Sequence, residues 1–254
     1  MTEQNIQPHK KFKILLLGDN CIDVYQYGTV DRISPEAPIP VFKLSHKEER
    51  PGMAANVAAN LLNLGCSVNF TQGAPSTKTR LIDVRSKQQI VRIDNDVPAD
   101  PIQLTGQLAP CDAIVISDYN KGAITYELIE DLRSKFSGPI FIDTKKTDLA
   151  RLEGCFIKIN ELEYSRVTSL PNGVPSGLIV TLGDRGAMYN DTVYPANEVE
   201  VADVTGAGDT FLAALAYCYV DTNDIVQSIQ FAIQASSVTV QHIGVHAPTL
   251  KEMG

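Results

Sequence analysis

An α/β fold, built on a mostly parallel sheet with helices on both faces and a small β lid, follows from three observations on this chain. Short apolar runs at 12–17, 113–117, 139–143, 156–159 and 178–182 read as buried strands, and helix-like segments near 124–135 and 161–166 fall between the later ones. Alternation of that kind is what crossover-connected parallel strands require. Hydrophobic residues make up 44% of the 254 residues, which supports a sizeable core. Finally, two alternating stretches around Arg85, Ser86 and Lys87, within 79–93, read as a hairpin too small to make a core of its own.

The elements can be taken in order. The run from Phe12 to Leu17 ends in Gly18 and Asp19, as a buried parallel strand does at its carboxyl end. A short proline-rich piece, Pro35 to Pro40, follows. Residues 53–64 read as a helix with small alanines on one face and Gly65 closing it. Met188 to Tyr194 reads as a late hairpin turning at Asn190 and Asp191, and Asp224 caps a last helix running to about His242. No repeat or low-complexity tract divides the chain. The expectation is one domain over 1–254, with a β lid built from 24–49 and 79–95.

Bulk composition narrows the partners. A net charge of −8 disfavours nucleic acid, which wants a basic face, but leaves room for phosphorylated small molecules in a local basic pocket. The first eleven residues are polar, so no signal peptide is expected, and no apolar run approaches a membrane span. Cys21, Cys66, Cys111, Cys155 and Cys218 are scattered singly, the usage of reduced thiols in the cytoplasm.

The stretch from Asp203 to Phe211 carries the most chemistry. Gly206, Ala207 and Gly208 form a turn whose backbone N–H groups can approach a ligand closely, against the start of an apolar helix read from Phe211 to Tyr219. A helix start offers unpaired donors and partial positive charge to a phosphoryl group. Asp209 lies in its first turn, where the same field is expected to keep it ionised and ready to accept a proton. A tight turn with an N-capping aspartate would use the same residues. A dinucleotide fingerprint is excluded by Phe211 in place of a third glycine, and no Gly-Lys-Ser or Gly-Lys-Thr of a Walker loop occurs. His242 and His246 have the spacing of a helical metal pair, but Gly244 interrupts them and no third Cys or His is near; a helix end is expected there.

These residues resemble the PfkB (ribokinase-like) carbohydrate kinases, and the resemblance spans nearly the whole chain. It implies a ribokinase-like three-layer α/β/α core, ATP and Mg2+ as cosubstrate and cofactor, and transfer of the γ-phosphoryl group to a sugar hydroxyl. Asp209 takes the place of the general base, with Gly206, Ala207 and Gly208 receiving phosphoryl charge. Asp23, Gly52 and Asn56 fall where the family holds the sugar, although Met53 replaces the second glycine of the usual pair. Asn160 and Glu163 match an Asn-x-x-Glu motif whose carboxylate holds Mg2+ mostly through water. Thr181, Gly183 and Gly186 match the turn beside the nucleotide, which Gly244 also borders. Arg32 to Val41, Glu49 to Gly52, Ser117 to Gly122 and Gln88 to Asp94 are similar to the branch acting on D-glycero-D-manno-heptose 7-phosphate. A phosphorylated substrate needs cations at its far end, and Arg50, Lys78, Arg80, Arg92 and Lys121 are the candidates. The resemblance further implies a homodimer clasped through the lid. The chain is short between Phe70 and Thr77 and after Glu163, and the nucleotidyltransferase domain fused to some relatives is not expected. Kinases for a neutral sugar or a nucleoside, and a non-catalytic binding relative, stay open as alternatives.

Overall fold

The computed structural model describes residues 11–104, 106–171 and 177–254. The expectation of no signal peptide rests on residues outside that range. Twelve strands and six α-helices follow one another among the described residues. Eight strands form one sheet, in the order β12 (Thr192–Tyr194), β11 (Ala187–Tyr189), β10 (Leu178–Thr181), β9 (Phe156–Asn160), β8 (Ile140–Thr144), β7 (Ala113–Asp118), β1 (Lys13–Gly18) and β4 (Ser67–Gln72). All neighbours are parallel except the hairpin at β10, β11 and β12.

Side-chain alternation explains the three layers. Ile14 and Leu16 of β1 enter one apolar cluster, whereas Leu15 and Leu17 enter the other. In β7, Ala113 and Val115 are divided from Ile114 and Ile116 in the same way. A strand whose two faces are both apolar must be covered on both sides. The helices α1 (Ala54–Asn63), α4 (Ala207–Thr222) and α5 (Ile225–Thr239) cover the first face. The second is covered by α2 (Tyr126–Lys135), a 3-10 turn at Leu149–Leu152 and the segment holding Ala99 and Ile102. That second layer is the thinner one, as the shortened chain leads one to expect.

Helix α4 is buried around most of its circumference from Asp209 to Ala216. Its alanines at 213, 214 and 216 let it lie between the sheet, α1 and α5 without overpacking. It begins at Ala207 rather than near Phe211, because Gly206, at φ 83°, turns the chain directly into the first helical residue. Helix α5 starts at the predicted cap, Asp224, whose carboxylate accepts from the N–H groups of Val226 and Gln227. It ends at Thr239, short of His242, in a turn containing Gly244. A last short helix, α6 (Leu250–Met253), packs against α5.

The lid is a four-stranded sheet in the order β3 (Pro40–Met53), β2 (Asn20–Ile33), β5 (Ser76–Asp83) and β6 (Gln89–Asn95). Its strands reach further into the core than expected from sequence, starting at Asn20 and Ser76 and ending at Met53. The predicted hairpin turn around Ser86 is present: the Asp83 carboxylate accepts from the Ser86 N–H at 2.9 Å. The late hairpin also turns where expected, with Asn190 and Asp191 both at positive φ (48° and 58°), as a two-residue turn matched to strand twist demands.

Candidate active site

The carboxyl ends of β1, β7, β8 and β9, the start of α4 and the root of the lid meet at one place. Asp209 sits at its centre, 6% exposed. Asn56 of α1 donates from Nδ2 to Asp209 Oδ2 at 2.9 Å, and the Tyr119 hydroxyl donates to Oδ1 at 3.0 Å. Burial pushes the Asp209 carboxyl up to about 6; the Asn56 hydrogen bond opposes this, while the nearby Asp143 charge adds to it. Desolvation thus outweighs the helix field and raises the pKa, yet leaves the group ionised near neutrality, as expected for a proton acceptor. The same burial, with the Asp209 charge beside it, drives the Tyr119 phenol well above its usual value, so Tyr119 is a hydrogen-bond donor here.

A lysine lies beneath the glycine turn. Lys158 Nζ is 2.7 Å from Asp143 Oδ2, both groups buried. A methyl group on Gly208 would come within 2.9 Å of that Nζ, which is the physical reason for glycine at this position. Gly206 is constrained on the other side, since a side chain there would press on Asn56 Nδ2 and Val245. Ala207 N–H is turned toward the Val204 carbonyl at 3.3 Å, so the donors best placed ahead of the helix are those of Gly208 and Asp209. The expected share of Ala207 is reduced accordingly.

Behind Asp209 runs a buried polar ladder. Thr239 Oγ1 donates to Thr210 Oγ1 at 3.0 Å, Thr210 Oγ1 to Asn60 Oδ1 at 2.9 Å, and Asn60 Nδ2 to the Asn56 carbonyl at 2.8 Å. It joins α5, α4 and α1, and Asn60 Nδ2 also lies 3.3 Å from Asn56 Oδ1, which holds the Asn56 rotamer and hence the angle at which Asp209 is held.

On the lid side, Asp23 and Arg80 form an ion pair, and a Cβ on Gly52 would collide with Asp23 Oδ2. Arg50 and Arg80 stack on the Tyr25 ring, at 4.9 and 5.2 Å from its centroid. Lys121 is turned away from this group and pairs with Asp96 at 2.5 Å. Arg92 is occupied by Asp94 on exposed β6. Lys78 and Lys145 flank the Tyr119 ring at 5.9 and 5.2 Å. The five cations expected near a distal phosphate thus split: Arg50, Lys78 and Arg80 gather around Tyr25 and Tyr119, whereas Lys121 and Arg92 stand at the margin.

Where the resemblance puts the nucleotide, Asn160 and Glu163 form a reciprocal capping box at α3 (Glu161–Tyr164): Glu163 N–H donates to Asn160 Oδ1, and Asn160 N–H to Glu163 Oε2, each at 2.8 Å. The other Glu163 oxygen pairs with Lys145. Thr181 ends β10, and Gly183 and Gly186 lie in the turn from there to β11, both at positive φ. Gly244 N–H donates to Asp203 Oδ2 at 2.8 Å, tying the turn after α5 to the glycine loop.

Sequence reasoning assigned no role to Tyr119, Asp143 or Lys158. The signal for Lys158 was present: a lysine in the apolar run Phe156 to Ile159 occupies a buried strand position and must be paired. Asp143 likewise follows the apolar residues of β8.

An open, mainly parallel sheet with a β lid and a glycine turn at its carboxyl edge defines the ribokinase-like class, and the solved structures agree. The chain superposes on Arabidopsis thaliana ribokinase complexed with ribose and ATP with a TM-score of 0.68, at 16% identity, over 96% of this chain and 98% of that one. Phosphofructokinase-2 from Escherichia coli gives 0.69 at 14% identity, over 96% of each chain. Residues 154–252 match the pfkB family carbohydrate kinases. The bifunctional protein HldE of Nitratiruptor sp. is 32% identical over 96% of this chain and 64% of its own length; that of Escherichia coli O9:H4 is 31% identical over 91% and 60%. The fold is thus ribokinase-like, and over residues 154–252 the chain is similar to the pfkB family of carbohydrate kinases. The chain spans less than two thirds of the length of these HldE relatives. The first match extends over 299 positions, more than the 254 residues here, so this chain is a shortened form.

Proposed function

We propose that the protein is an ATP-dependent kinase that phosphorylates a hydroxyl of a sugar phosphate similar to heptose 7-phosphate. The observation that carries the reading is Asp209: a buried carboxylate with its acidity shifted to about 6, at the start of α4, held by Asn56 and Tyr119 and set above the Lys158 ammonium. Such a group is ionised near neutrality yet basic enough to take a proton from an attacking hydroxyl. As that proton passes to Asp209, the hydroxyl oxygen bonds to the γ-phosphorus and the bond to the bridging oxygen of ADP breaks. The N–H groups of Gly208 and Asp209 and the Lys158 charge receive the developing negative charge. Asn56 and Tyr119, which hold both Asp209 oxygens here, exchange those bonds for sugar hydroxyls.

Asp143 Oδ1 is buried without a hydrogen-bond partner among the described residues, and Glu163 stands with it in the field of Lys158. A hydrated Mg2+ fits such a donor set, which needs few carboxylates and keeps waters. It supplies charge neutralisation on the triphosphate; Glu163 and Asp143 would hold it through water.

The sugar-phosphate reading is supported by the HldE relatives and by Arg50, Lys78 and Arg80 gathered at the lid root. A homodimer through the lid is supported by the apolar side chains that its strands expose, among them Leu44 and Ile93. A net charge of −8 supports a small-molecule rather than a nucleic-acid partner, and among the described residues no helix is long and apolar enough to cross a membrane. Free cysteines fit a cytoplasmic setting.

The experiment is an ATP-consumption screen with heptose 7-phosphate beside ribose, fructose, fructose 6-phosphate and adenosine. Preferred turnover of the heptose phosphate supports the reading. Preference for an unphosphorylated acceptor moves the assignment to a neutral-sugar or nucleoside kinase, and ATP binding without turnover on any acceptor makes the chain a non-catalytic relative.

A further inference from the structure

Away from the cleft, the turn after α5 brings together a set of side chains that sequence spacing alone did not assemble. His242, His246 and Glu252 each offer one ligand atom, and these atoms all lie within 4.8 Å of one another. The missing third donor to the histidine pair is a carboxylate from α6, not a Cys or His.

Two of the three donors, His242 and Glu252, have a second contact of their own. His242 Nδ1 lies 3.0 Å from the Val238 carbonyl, so Nδ1 carries the proton and Nε2 keeps its lone pair. Glu252 Oε2 accepts from the N–H and hydroxyl of Thr249, at 2.7 and 2.8 Å, which leaves Oε1 directed at His246 Nε2, 3.2 Å away. An imidazole fixed through its other nitrogen and a carboxylate fixed through its other oxygen are the outer contacts that metal ligands use. The two imidazole rings stack with centroids 3.8 Å apart and planes 15° from parallel. They must rotate for their lone pairs to converge, and both histidines are accessible enough to do so.

We propose that His242, His246 and Glu252 form a binding site for a divalent transition cation of the Zn2+ class. Two imidazole nitrogens and one carboxylate oxygen suit Zn2+, whereas Mg2+ prefers an all-oxygen shell, so this site is chemically distinct from the acidic surroundings of Glu163. The cation joins the end of α5, the turn at 243–246 and α6. Its place in the fold gives it reach. Val245 packs against Gly206, Gly244 N–H holds Asp203, and the His246 carbonyl lies 3.2 Å from Thr239 Oγ1, at the end of the polar ladder behind Asp209. Binding therefore stiffens the wall of the glycine turn while leaving the cleft itself open.

Calorimetric titration of the full chain with Zn2+ tests this, with Mg2+ as the comparison ion. One equivalent of Zn2+ should bind and raise Tm, and His242→Asn and Glu252→Gln should each weaken that binding by roughly tenfold or more. Cys111→Ser should leave it unchanged, because the half-buried Cys111 thiol is not part of the site. Circular dichroism of the metal-free variants establishes that they fold. If either variant does not fold, Co2+ is substituted in the wild type: a spectrum of nitrogen and oxygen ligation without thiolate charge transfer supports the site. Zn2+ binding no stronger than Mg2+ binding, binding unaffected in folded His242→Asn, loss of binding in Cys111→Ser, or thiolate bands with Co2+ would each overturn it.

Discussion

Asp209 is subject to two demands that pull against each other, since it must be shielded from water and yet be ionised. Burial raises its pKa to about 6, so kcat/KM should fall about tenfold per pH unit below that value, measured with a saturating nucleotide. The stability consequence has a definite sign. The folded value lies above the ordinary aspartate value of 3.8, so folding favours the protonated acid. The favourable contribution is complete below the unfolded value and is lost as pH rises through about 6. At pH 8 Asp209 therefore costs stability, and Asp209→Asn should raise the unfolding free energy there by on the order of 2 kcal/mol, with no gain at pH 3.5. Equal stability changes at both pH values in chemical denaturation would contradict the burial argument. A second residue-scale prediction separates Lys121 from Arg80. Lys121 pairs with Asp96 at the margin, so Lys121→Gln should raise KM for a sugar phosphate by roughly tenfold at most and spare a neutral sugar. Arg80→Gln strands the buried Asp23 carboxylate and should weaken both acceptors. Steady-state kinetics on both acceptors checks this; Arg80→Gln that leaves neutral-sugar binding intact would refute the role of the pair.

At the scale of elements, caps and alternation were the readable part of the sequence. Asp224, chosen as a cap from its place before an apolar run, accepts the N–H groups of the second and third residues of α5. Asp224→Ala should cost about 1 kcal/mol in equilibrium denaturation and leave kcat unchanged; a loss of activity at unchanged stability would contradict a purely structural role. The core strands were legible because both faces are apolar, and the hairpin at Asn190 and Asp191 because those residues tolerate positive φ. Strand β4 was not legible: Ser67, Asn69, Thr71 and Gln72 interrupt any apolar run, and it holds its place at the sheet edge by pairing with β1. The motif residues around Asp209 and Glu163 were found in sequence, with Asn56 and Asn160 among them, but three of their neighbours were not. Tyr119, Lys158 and Asp143 come from three different strands or their ends, and only the parallel register of β7, β8 and β9 brings them together. Glu252 escaped notice for a similar reason, since its meeting with His246 depends on how α6 folds back on α5.

For the whole molecule, the lid and the core pose separate questions. The lid is a single four-stranded layer with Ile33, Leu44 and Ile93 more than half exposed, an arrangement that a second copy would cover. Leu44→Asp should shift a dimer toward monomer in light scattering at micromolar concentration; a wild type already monomeric there would refute the clasp. The core presents the central claim, which is that this shortened chain still joins a base, an anion-binding turn and a buried cation into a working phosphoryl-transfer site. The most direct test is single-turnover phosphoryl transfer to the best acceptor by the wild type and by Asp209→Asn. Asparagine keeps the shape and can still pair with Asn56 or Tyr119, but it cannot take the proton. The account predicts a loss of roughly 10²–10⁴ in rate with nucleotide affinity changed far less. A variant that retains more than half the wild-type rate would contradict it.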